Sequence, residues 1–203
     1  KSANDSLFAG RKLAVSFHVA GETGPMTWHA KALQTSYLTA PRAGSHGGED
    51  GDANFPFTTT SWFFLDAFEV MAPADTAVVV CFGDSITDGT LSTLNGDDRW
   101  PDVLSRRLHA VYGNHVSVVN AGIGGNQITG PASYSPSASF AGGPSALERL
   151  ERDVLRLSGV THIVWLEGIN DLSRGATAET VIAGGPPTKM AARSGSPRRR
   201  AAE

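Results

Sequence analysis

The chain has 203 residues, of which 40% are hydrophobic and 18% charged. That composition describes a globular chain with room for one ordinary α/β domain and part of another, and it excludes a disordered polymer. The formal net charge of −3 gives no general pull toward nucleic acid or membrane surfaces. No apolar run approaches the length of a membrane-spanning helix.

Residues 1–72 read as β-rich and irregular, part of a β-sandwich-like domain. Residues 13–19 alternate as a half-buried strand does, and residues 60–65 and 67–70 supply further strand material. The Gly- and Asp-rich stretch 43–56 between them predicts a long exposed loop. The start, Lys1-Ser2-Ala3-Asn4-Asp5, has no signal-peptide pattern, and the chain reads as truncated at both ends.

From residue 73 the pattern changes. Residues 77–82, Ala-Val-Val-Val-Cys-Phe, form a solid apolar run suited to a central parallel strand. Cys81, the only cysteine, falls inside it and reads as a buried structural thiol. A helix is predicted over 99–112, with Pro101 in its first turn. A strand follows at 115–120, a helix at 145–157, a strand at 160–166 and the start of a helix at 177–183. Strictly alternating strands and helices predict a parallel sheet covered on both faces. Beyond residue 184 the periodicity ends. Lys189, Arg193, Arg198, Arg199 and Arg200 against Glu203 leave residues 185–203 at +4 and the rest of the chain at −7. That tail reads as a basic, low-complexity, unstructured end.

Ligands of a parallel sheet bind beyond the carboxyl ends of its strands. After the first strand comes Gly83-Asp84-Ser85-Ile86-Thr87-Asp88-Gly89; after the second, Asn120-Ala121-Gly122-Ile123-Gly124-Gly125-Asn126; after the third, Glu167-Gly168-Ile169-Asn170-Asp171. Together they carry a hydroxyl, flexible backbone amides and a side-chain amide, the parts acyl transfer requires. Ser85 is the candidate nucleophile. The Ser85 and Gly125 amides and the Asn170 side chain are candidate donors to a developing oxyanion, with Gly122 as the alternative glycine. Asp84, Gly122, Asn126 and Asp171 are candidate substrate-binding neighbours. Asp97, Asp98 and Asp102 read as a solvated helix start rather than a metal site.

These three blocks resemble those of the SGNH/GDSL hydrolases. Arg99-Trp100-Pro101-Asp102 and residues 166–171 are similar to a branch containing acetylxylan-esterase-like proteins, in which a β-sandwich-like domain precedes the hydrolase domain. Residues 34–37 and 60–65 resemble the end of that domain. The resemblance implies an incomplete three-layer α/β/α, flavodoxin-like hydrolase domain over residues 73–184. It also implies metal- and cofactor-free hydrolysis of acetyl or other short acyl esters, on carbohydrate among other substrates. The family's fourth block, Asp-x-x-His, has no counterpart: none of the six histidines follows an aspartate by three positions.

His162 opens its strand roughly 25 Å from Asn170, at about 3.3 Å per residue. His115 has the same problem, His109 sits in a helix leading away, and His18, His29 and His46 belong to the β-rich part. All six read as solvated or structural, so the expected esterase is impaired. The alternative is a catalytically inactive SGNH-like module binding carbohydrate or a partner. Trp28, Trp62, Phe63 and Trp100 would serve it, although core packing explains them more simply. An unpaired sheet edge would favour self-association.

Overall fold

The computed structural model describes residues 12–26, 28–132, 134, 137 and 140–185. Of the basic tail expected over 185–203, all but Gly185 lies outside them.

Four short strands come first: β1 (Trp28–His29), β2 (Ser36–Leu38), β3 (Phe57–Thr59) and β4 (Trp62–Phe63). β1 pairs antiparallel with β4, and β2 with β3. The strands expected at 13–19 and 67–70 do not form. Leu13, Val15, Phe17 and Val19 alternate in sequence, yet all four are exposed. Alternation specifies a strand only where a neighbour takes up its edge, and no described segment does so here.

The second part is built on β5 (Ala77–Gly83), α1 (Ser85–Asp88), α2 (Trp100–Tyr112), β6 (Val116–Gly122), α3 (Ala146–Leu150), β7 (Val160–Leu166), α4 (Ile169–Ser173) and α5 (Ala178–Gly184). β5 lies between β6 and β7, parallel to both. Its apolar run is buried because both of its edges and both of its faces are covered. Val80 and Phe82 point to one face, against Ala146, Leu150 and Val154. Cys81 alternates to the other, where burial and the nearby Asp102 push its thiol up to about 11. The fold is thus α/β with a parallel sheet, as expected.

Local signals set the helices. Pro101 occupies the first turn of α2, and the Arg99 N–H donates to the Asp102 carboxylate at 3.0 Å. At α3 the Ser145 N–H donates to Glu148 Oε2 at 2.9 Å, and the Glu148 N–H donates back to Ser145 Oγ at 3.3 Å. The helix expected over 145–157 is not uniform: after Leu150 it widens into a π-helical turn, Glu151–Leu155. β6 and β7 form the edges of the sheet, and Val164 and Leu166 of β7 stay partly exposed.

Candidate active site

Paired register brings three loops to one edge. Gly83 is opposite Gly122 on β6 and Leu166 on β7, so each strand delivers its following loop to the same end of the sheet. Close approach requires the glycines. A β-carbon on Gly122 would overlap the Asp88 backbone nitrogen and lie 2.7 Å from the Thr87 carbonyl carbon. Gly125 has φ of +83°, which a side chain would strain.

Ser85 opens α1. Asp84 caps that turn, accepting from the Ile86 N–H at 2.9 Å. The Ser85 hydroxyl has no hydrogen-bond partner among the described residues. It borders an open groove of about 430 Å³, whose walls include Ile86, Thr90, Ser92 and Trp100. A second groove of about 460 Å³, lined by Trp100, Val103, Leu104 and Arg107, contains none of the candidate catalytic residues.

The second loop runs close to Ser85: a β-carbon built on Gly124 would lie 4.0 Å from Ser85 Cβ and 3.3 Å from Asp88 Oδ2. Of the two candidate oxyanion glycines, Gly122 already donates its N–H to Asn120 Oδ1 at 2.9 Å. The Gly125 N–H has no partner among the described residues. Asn170 Nδ2 donates to the Asn126 carbonyl at 2.8 Å, which sets its side chain beside that same loop and leaves its second N–H free to donate.

Three residues considered as substrate-binding face the protein interior. Asn126 is fully buried, donating to the Gly142 and Pro144 carbonyls and accepting from Arg149. Asp171 is buried and accepts from the Ile128 and Thr129 N–H groups at 2.8 and 3.0 Å. Asp84 is buried, and desolvation raises its carboxyl above the ordinary range. They brace the loops from within rather than line the groove beside Ser85.

Sequence reasoning missed Arg149 and Glu167. Both side chains are fully buried, 3.8 Å apart, beneath the three loops. Burial pushes Glu167 up to about 7, opposed by the charge of Arg149. Burial likewise lowers Arg149, opposed by Glu167 and Asp153.

One of the histidines read as solvated or structural comes nearer the site than its place in the sequence suggested. His115 pairs with Asp75 at 3.1 Å, His109 with the Ser105 carbonyl, and His46 with Glu49. His162 is level with Val79, away from the site. His29, however, reaches α1: its Nε2 lies 2.6 Å from Asp88 Oδ1. The segment around it docks through Thr35 to Asn95 and Gln34 to Asp97. The aromatics also differ from the core-packing expectation. Trp28 stacks on Phe63 with parallel rings 5.9 Å apart, yet Trp28 is 58% exposed. Asp97, Asp98 and Asp102 accept from Lys12, Thr93 and Arg99 respectively. No described cluster of three or more His, Cys, Asp or Glu residues suits a metal ion.

Among solved structures, AlinE4, an SGNH-hydrolase family esterase, is 20% identical, with a TM-score of 0.42 over 57% of this chain and 51% of its own. Two variants of the same esterase give TM-scores of 0.42 and 0.41 at 20% and 22% identity. The chain spans about half the length of these structures. No curated protein sequence matches it. The GDSL-like Lipase/Acylhydrolase family profile matches residues 81–192, continuing past the point near Gly184 where the motif resemblance stops. The match takes in all three loops at the sheet edge, and the chain belongs to the GDSL-like lipase/acylhydrolase family.

Proposed function

We propose that this site cleaves short-chain acyl esters, acetyl groups on carbohydrate included, with Ser85 as nucleophile. The observation that carries the reading is the convergence of an unpartnered Ser85 hydroxyl, an unpartnered Gly125 N–H and the Asn170 amide at one sheet edge. Ser85 Oγ attacks the ester carbonyl carbon as its proton passes to solvent water, which later protonates the departing alcohol oxygen. The Ser85 and Gly125 N–H groups and the Asn170 side chain donate to the oxyanion, which collapses to expel the alcohol. Water then releases the acid from the acyl-serine. The groove of about 430 Å³ is of a size for a short acyl chain or one sugar unit.

With no Asp-x-x-His in the sequence, Ser85 is a neutral alcohol at pH 7 and a weak nucleophile. Slow turnover follows. Hydrolysis of p-nitrophenyl acetate and of acetylated xylo-oligosaccharides by the chain and by S85A tests the reading. A slow rate lost in S85A supports it; equal rates in both reject it. The exposed Trp28–Phe63 stack favours one second reading, a carbohydrate-binding module without turnover. Binding of unacetylated xylo-oligosaccharide that W28A abolishes, with no Ser85-dependent hydrolysis, would establish it instead.

A further inference from the structure

We propose that Arg149 and Glu167 are positioning residues, a buried guanidinium–carboxylate pair that fixes the three site loops relative to one another. The inference rests on the reading of Ser85, Gly125 and Asn170 as the reacting groups. The Arg149 guanidinium lies 3.9 Å above the Phe82 ring, donates to the ends of β5 and β6 and to the loop after β6, and faces the third loop through its charge. Nη2 donates to the Gly83 carbonyl at 2.9 Å, two residues before Ser85. Nη1 donates to the Ala121 carbonyl at 2.8 Å, where β6 ends. Nε donates to Asn126 Oδ1 at 2.7 Å, directly after Gly125. The Asn126 carbonyl in turn accepts from Asn170 Nδ2. Glu167, which begins the third loop, completes the set at 3.8 Å from Nη2.

A buried charge is an expensive way to fill a core, because desolvating an ion costs several kcal/mol that apolar packing avoids. Its return here is geometric. Arginine's planar fork meets three oxygens in fixed directions, which the single ammonium of lysine cannot do. Glu167 balances the charge without a hydrogen bond to Arg149. Its Oε2 accepts from Trp165 Nε1 at 3.1 Å, while Oε1 is buried without a hydrogen-bond partner. The charge around the pair is shared: Asp153 Oδ2 also lies 3.3 Å from Nη1, and Asp84 and Asp171 act on Glu167, which burial raises to about 7.

Stopped-flow acylation by p-nitrophenyl acetate in the parent chain, R149K, E167Q and S85A tests the pair, together with hydrogen–deuterium exchange of residues 121–126 and 167–171. Displacement of about 1 Å at a reacting centre costs on the order of 100-fold. R149K and E167Q should therefore lower the acylation rate constant at least about tenfold, with half-saturation unchanged, and speed exchange in both segments. E167Q should also flatten the rate's pH dependence around neutrality. If R149K does not fold, the near-isosteric E167Q decides. Folded variants that acylate within about twofold of the parent, with its pH profile and exchange, overturn the inference. If acylation is independent of Ser85, the proposed function fails and exchange alone decides: faster exchange upholds the tether, unchanged exchange rejects it.

Discussion

His29 Nε2 lies 2.6 Å from Asp88 Oδ1, a contact spanning 59 positions of sequence that ties β1 to the helical turn opened by Ser85. The Asp88 side chain is 5% exposed and that of His29 40%, so the carboxylate depends more on the contact than the imidazole does. The pair is an Asp–His couple beside the nucleophile, made by docking of the N-terminal segment.

Loss of that contact should act on stability before chemistry. H29Q should lower the thermal midpoint by a few degrees, corresponding to about 1 kcal/mol for a partly exposed pair. Ser85 acylation should stay within about twofold. A loss of acylation in a folded H29Q chain would instead identify His29 as the base acting on Ser85.

Glycine at the ends of the strands gives a paired prediction. G122A places a methyl group into the Asp88 backbone nitrogen and should destabilise by about 1–3 kcal/mol, as overpacking does. At G124A the only tight neighbour is the Asp88 carboxylate tip, at 3.3 Å, and the substitution should cost far less. Denaturant midpoints of the two variants check the difference, and equal effects would contradict the close approach of α1 to the second loop.

Glu167 fixes the sign of the pH dependence. Burial raises its folded-state value from 4.5 to about 7, so between those values the folded chain holds a proton that the unfolded chain has lost. Stability contributed by this group is present at acid pH and falls as pH rises toward about 7. The change is on the order of 3 kcal/mol. Urea unfolding across that range should show the decline, and E167Q should remove most of it. Asp84, also raised by burial, adds a slope of the same sign.

Cys81 should be unreactive in the native state. It is fully buried and its thiol is raised to about 11, so Ellman's reagent should report no free thiol until the chain is unfolded.

The parallel strands and the three loops were legible in the sequence because each signal is local. An apolar-rich run precedes each loop, solid only in the first, and Ser145-Ala146-Leu147-Glu148 spells out its own cap. Arg149 was not legible. Within Glu148-Arg149-Leu150-Glu151-Arg152 it resembles any charged position on an exposed helix face, and only the packing of α3 against β5 reveals its burial. The His29–Asp88 contact was hidden for the same reason: it arises from the docking of two distant segments. Residues 13–19 show the reverse failure, a local pattern with no partner to realise it.

The central claim, that Ser85 is the reacting group of this site, is tested most directly by covalent trapping. The folded chain would be incubated with a fluorophosphonate and the adduct located by peptide mass spectrometry. The account predicts a single adduct on Ser85, forming faster than in chain unfolded by urea and weakened by N170A. An adduct spread over several serines, or one forming equally fast in the unfolded chain, would contradict it.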